Sequence, residues 1–163
     1  MSSSDVWTAE GAAATEVVLA VFQANGRLLA AGDLLAAPQG LTAARWQVLG
    51  ALALAERPLT VPQIARRMGL TRQSVQVSVG RLVDDGLAEV SPNPDHRRSV
   101  LIRLTRRGGD GYRRVQRRQA RWINQLAAGL GVSELHTAAA VLRELTGRLD
   151  GEDHGRKRKG ETR

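Results

Sequence analysis

The sequence predicts a mainly α-helical chain with one small β-hairpin, on three observations. Apolar residues return every three or four positions through most of the 163 residues, the period of helices that bury one face. Thr42, Thr60, Thr71, Thr105 and Ser133 each stand just ahead of such a stretch, where a short hydroxyl side chain can accept a bond from a free N–H of the first turn. Only Leu87 to Leu104 alternates with period two across a turn-rich centre, as a two-stranded hairpin does.

The first stripe is Val17, Val21, Ala24 and Leu28, widened by Val18 and Leu29. It predicts a helix from about Glu10 to Ala31, which Gly32, Pro38 and Gly40 should break. Thr42 should cap a second helix with Trp46, Leu49 and Ala53 on one face, extended by Val48 and Leu52. Thr60 and Gln63 then form a capping box, with Pro62 in the first turn where its missing N–H costs little. Val61, Ile64, Ala65 and Met68 follow at i, i+3, i+4 and i+7. Gly69 suits the left-handed position that stops this short helix. Only Leu70 intervenes before Thr71 caps the next one. Two helices joined by so tight a turn must cross steeply, which makes a helix-turn-helix.

The second helix of that pair has two faces. Val75, Val79, Leu82 and Val83 gather on one side, while Gln73, Val77, Gly80 and Arg81 fall opposite. Thr71, Arg72, Gln73, Ser74 and Gln76 crowd its start. Two readings fit them: donors and acceptors for base edges and phosphates in a major groove, or a plain solvated face. Gly86 ends the helix, and the strands that follow frame the tip PNPDHRR, with Asp95, His96, Arg97 and Arg98. A basic hairpin tip directly after such a helix is a wing, able to place an arginine in the minor groove. Thr105 should cap a long helix whose first turns Gly108, Gly109 and Gly111 weaken. Its stripe is Val115, Trp122, Leu126 and Leu130, and Gly129 and Gly131 break it. Arg113, Arg114, Arg117 and Arg118 on it face either DNA backbone or water. The last helix carries Leu135, Ala139, Leu142, Leu145 and Leu149 along one side.

Charge points the same way. The net charge is +8, but residues 1–59 carry −2, residues 60–118 carry +8 and the remainder +2. The excess sits on the helix-turn-helix, the wing and the helix start after it, the pattern of a phosphate-binding surface.

In order along the chain, Ile64-Ala65 with Leu70, Gly86-Leu87, Asp95-His96-Arg97-Arg98-Ser99 and Leu104-Thr105 resemble the MarR family of bacterial transcriptional regulators. The likeness extends more loosely over about residues 16 to 149. It implies a winged helix-turn-helix flanked by N- and C-terminal dimerisation helices. It gives Asp95 the role of holding Arg97 for the minor groove, and sets Trp46 and Trp122 as walls of a small-molecule pocket, beside the plainer reading of Trp46 as core. Two positions depart from the family pattern. Val77 stands where a polar or basic residue is usual, and can touch a thymine methyl but not hydrogen-bond; Ser78 replaces a usually apolar residue.

The expected organisation is therefore a flexible N-terminus (1–15), a dimerisation helix and connector (16–41), the winged DNA-binding region (42–105), C-terminal dimerisation helices (106–150) and a disordered charged tail (151–163). The expected function is that of a homodimeric, sequence-specific regulator of double-stranded DNA. It should be a repressor acting on an inverted repeat and released by a small aromatic or phenolic acid. The alternative is a winged-helix scaffold for other proteins. The DNA-contacting set is Thr71, Arg72, Gln73, Ser74, Gln76, Val77, Arg81, Asp95, Arg97 and Arg98. No enzyme motif, cofactor site or metal site is legible: the three histidines lie far apart and there is no cysteine, which also removes thiol oxidation as a signal. With no run of eighteen apolar residues and no basic, apolar leader, a cytoplasmic protein with no membrane partner is expected.

Overall fold

A computed structural model describes residues 7–96 and 98–160. Six helices and one hairpin follow in the order α1 (Ala9–Ala36), a 3-10 turn (Ala37–Gln39), α2 (Ala43–Ala55), α3 (Val61–Met68), α4 (Arg72–Asp84), β1 (Ala88–Pro92), β2 (Val100–Leu104), α5 (Arg106–Leu126) and α6 (Val132–Gly160). The chain divides into two compact units, Met1–Arg121 and Trp122–Arg163.

The core of the first unit is built mainly by α2, α3, α4 and the hairpin, with Ala36 from the end of α1 and Val115 from α5. Val48, Leu49, Leu59, Ile64, Val75, Leu82, Ile102 and Val115 are all fully buried. Each such side chain contributes about 1.5–3 kcal/mol by leaving water. In α2 the buried face is Val48, Leu49, Ala51 and Leu52, so Trp46 and Ala53 sit at its half-buried margin rather than at its centre. Strands β1 and β2 pair antiparallel from Ala88 with Leu104 to Pro92 with Val100. A third, one-residue strand escapes the sequence pattern. Leu59 and Ile102 exchange both backbone bonds, 2.9 and 2.8 Å long, and pin the middle of β2 to the residue before the cap of α3.

Several boundaries move from those the sequence predicts. Helix α1 begins at Ala9, within the stretch expected to be flexible, because Thr8 caps it by accepting from Gly11 N at 3.0 Å. It also runs through Gly32. A Cβ there would lie 3.0 Å from the Cβ of Ala43, so this glycine permits a close helix contact instead of ending the helix. One residue on, the Asp33 carboxylate accepts from Ala43 N at 2.6 Å and shares the capping of α2 with Thr42. Ser133 lies inside the first turn of α6 rather than at its cap, since the helix starts at Val132. At the other end α6 continues to Gly160, where a disordered tail was expected. The tail's lack of apolar residues denies it a core but not its backbone bonds.

Helix α1 is unusual in how little it buries. Leu19, Phe22, Leu28 and Leu34 are all exposed, Phe22 at 70% and Leu34 at 78%. Although no eighteen consecutive residues are apolar, Ala9–Gln39 is long and apolar enough on average to cross a membrane. It nevertheless carries Glu10, Glu16, Arg27 and Asp33, the last of them committed to capping α2.

Candidate nucleic-acid interface

The site grows from the turn between α3 and α4. Gln63 Oε1 accepts from Thr60 N at 2.9 Å, closing the capping box at the start of α3. Gly69 ends α3 at φ +62°, a conformation that costs other residues dearly. Thr71 then opens α4, its hydroxyl accepting from Ser74 N at 3.1 Å. Val75, Val79 and Leu82 are buried, and the opposite face is left to solvent. Arg72, Gln73, Gln76, Val77, Gly80 and Arg81 are all exposed there, Val77 at 63%. Ser78 is buried at 7%, a hydroxyl on the packed side where an apolar group would serve as well.

Not every polar group at the helix start is equally available. Ser74 Oγ donates to Thr71 O at 3.1 Å, so in the free chain its hydroxyl turns back on its own helix and presents lone pairs outward. Arg72, Gln73 and Gln76 make no side-chain hydrogen bond among the described residues. Arg72 and Arg81 likewise form no ion pair among the described residues.

The wing completes the surface. Arg98, Ser99 and Val100 close a concavity of about 480 Å³ with Thr60 at the cap of α3, Val61 and Pro62 in its first turn, and Arg72, Gln73 and Gln76 of α4. Behind it, Arg98, Asp95 and His96 line a second hollow of about 430 Å³ with Arg57, Gln63 and Arg66. The wing tip is itself folded by local bonds. Asn93 Oδ1 accepts from Asp95 N at 3.0 Å, and Asn93 Nδ2 donates to Ser99 Oγ at 2.9 Å. Arg97 lies outside the described residues, so the expected pairing of Asp95 with it does too. The sequence reading missed Arg57 and Arg66, which stand before and within α3; their only signal was the local excess of positive charge. Arg113 and Arg114 on α5 are engaged within the chain, Arg113 with Asp110 and Arg114 with Gln39 Oε1 at 2.6 Å. Arg117 and Arg118 are exposed.

Chemically, the surface offers the positive end of α4, arginines on three elements and two amide side chains at the helix start. Helix N-termini and arginines bind phosphate, and glutamine reads adenine bidentately.

Comparison with known proteins agrees. The family model described as "MarR family" matches residues 39–99. An uncharacterized protein of Mycobacterium tuberculosis is 41% identical over 129 residues, covering 79% of this chain and 89% of that one. The PcaV transcriptional regulator of Streptomyces coelicolor, solved in complex with its natural ligand, is 30% identical with a TM-score of 0.64, over 76% of this chain and 89% of that one. The chain belongs to the MarR family. The transcriptional repressor CouR, solved on a 23-mer DNA duplex, is 26% identical with a TM-score of 0.68, over 78% of this chain and 89% of that one. This MarR-family chain is accordingly a DNA-binding transcription regulator with a winged helix-turn-helix.

Proposed function

We propose that this MarR-family regulator is a homodimeric repressor that reads an inverted repeat through α4 and grips the flanking minor groove with its wing. The observation that carries the reading is the concavity joining Arg98 of the wing to Arg72, Gln73 and Gln76 of α4. Around it stand basic side chains with no carboxylate partner among the described residues. Within this reading Thr71 and Ser74 orient the helix start, Arg81 meets the backbone, Val77 touches a thymine methyl, and Asp95 and Arg97 serve the wing. CouR, a repressor seated on DNA, supports the sign of regulation. The exposed apolar faces of α1 and, separately, of α6 (Leu135, Val141, Leu142 and Leu149) support assembly with a second copy. Two α4 helices related by a two-fold axis then meet successive major grooves about 34–36 Å apart. Such a protein acts where the chromosome is, in the cytoplasm.

Release by a small aromatic acid is the natural signal for a chain without cysteine. PcaV, solved with its natural ligand, supports a non-covalent effector. On this chain Trp46 is half-buried and its indole Nε1 is buried without a partner among the described residues, a donor that a carboxylate or phenol could take. Trp122, half-buried on α5, is the other aromatic assigned to ligand contact. Effector binding lowers DNA affinity only by favouring an arrangement in which the α4 helices no longer fit the operator.

Selection of bound duplexes from random DNA tests the reading. It should return inverted repeats about one helical turn apart, bound with a steep loss of affinity in added salt. Binding without sequence preference, or none that salt weakens, points to the scaffolding alternative instead.

A further inference from the structure

The two ends of α4 are held differently. At its start the helix is capped, among the described residues, by its own Thr71 alone. At its end, three consecutive residues are each gripped from outside the helix. The Asp85 carboxylate Oδ2 accepts from Arg45 Nη1 at 2.8 Å, and the same guanidinium donates through Nη2 to Gly40 O at 2.6 Å. The backbone carbonyl of Asp85 accepts from Arg107 Nη1 at 3.0 Å. Gly86 O accepts from Thr105 Oγ1 at 2.8 Å, and Leu87 O from Thr105 N at 3.2 Å. Gly108 is packed so closely on that Leu87 carbonyl that a side chain there has no room. Donors from α2, from Thr105 and from the first turn of α5 thus converge on the C-cap of α4 and the two residues after it.

We infer that Asp85 is a positioning residue for DNA recognition, fixing the tilt of α4 through Arg45 while Arg107 and Thr105 hold the backbone beside it. The inference rests on the reading of α4 as the DNA-contacting helix. Thirteen residues make α4 about 20 Å long. A tilt of about 10° about its buried middle therefore moves the first turn by roughly 1.7 Å. That displacement exceeds the tolerance of a hydrogen bond between a side chain and a base edge. The Arg45–Asp85 pair is partly exposed, with side chains 21% and 48% accessible. Its loss should cost the fold little, while the register of Arg72, Gln73 and Gln76 depends on it.

A competing role has the opposite sign. If Asp85 merely neutralises an Arg45 that would otherwise bind phosphate, removing the carboxylate frees a cation for DNA. The test uses the full chain and the tightest duplex that the wild-type protein recovers from random DNA, with Kd measured across a salt series. Asp85→Asn should bind roughly tenfold more weakly, about the loss of one base contact, and discriminate less against a scrambled duplex. Asp85→Glu should retain most of the affinity. Arg45→Gln should repeat the Asp85→Asn loss while leaving the slope of log K against log salt unchanged, because no phosphate contact is removed. Thermal melting of each variant should stay near wild type. Tighter binding by Asp85→Asn, or a slope reduced by about one in Arg45→Gln, overturns the inference in favour of a phosphate-facing Arg45. A wild-type chain that prefers no duplex overturns the DNA reading, and this inference with it.

Discussion

At Gly108 a single hydrogen atom decides whether α5 can start where it does. A Cβ built there would fall 1.9 Å from the Leu87 carbonyl oxygen, a backbone atom that cannot swing aside. Gly108→Ala should therefore destabilise the chain by about 2–3 kcal/mol, the upper part of the usual cost of overpacking, as read by urea denaturation. Gly80 is the contrasting case. It lies exposed in mid-helix with nothing within 4 Å of a Cβ, so Gly80→Ala should stabilise α4 by about 0.5–1 kcal/mol. Because it faces outward beside Val77, the same change should weaken binding to the selected duplex. An unchanged affinity would remove Gly80 from the contact face. These residues also mark where sequence reading reaches its limit. The caps at Thr42, Thr60, Thr71 and Thr105 were legible because a cap and its partner lie within three residues of each other. Gly32 and Gly108 read as weak points in helices, since the neighbours that require them, Ala43 and Leu87, are distant along the chain or belong to another element.

At the scale of elements, the helix-turn-helix was legible almost residue by residue. Its two amphipathic stripes, its capping box and its turn glycine are all local, and Ile64, Ala65, Val75, Val79 and Leu82 are buried as their spacing requires. Gly69 has open space around a Cβ, but its φ of +62° does not suit one. Gly69→Ala should cost about 1 kcal/mol from backbone conformation alone, a loss visible in thermal melting without any change in packing. Leu82→Ala removes a fully buried side chain and should cost about 2–5 kcal/mol. The wing was legible as a hairpin but not as part of a three-strand arrangement, because one residue, Leu59, makes no pattern. Within the site, Arg98 was legible as part of a basic hairpin tip, but its place beside the start of α4, like the approach of Arg57 and Arg66 to it, comes only through the fold. Arg98→Ala should leave stability intact and lower the salt slope of DNA binding by about one; an unaltered slope would show that Arg98 does not touch phosphate.

For the whole molecule, the decisive quantity is apolar surface without a partner. A chain that leaves Leu19, Phe22, Leu28 and Leu34 of one helix in water has a strong drive to cover them. Under the homodimer proposal Phe22→Asp should shift the protein toward monomer in analytical ultracentrifugation. DNA affinity should fall with it, because two linked half-sites bind far more tightly than one. A variant that stays dimeric would move the interface away from α1. This level was the least legible. Periodicity identified α1 and α6 as helices with apolar stripes, but it could not tell a stripe that packs within the chain from one left bare.

The reciprocal bonds between Leu59 and Ile102 have a mechanical consequence. They make the hairpin a lever clamped at the middle of β2, beyond which the described residues of the tip hydrogen-bond only among themselves. In hydrogen–deuterium exchange the Leu59 and Ile102 amides should be among the slowest outside the helices, with protection falling toward the tip. A lever clamped in this way can flex to follow a groove of varying width while its clamped part, and the helix pair beside it, keeps its place.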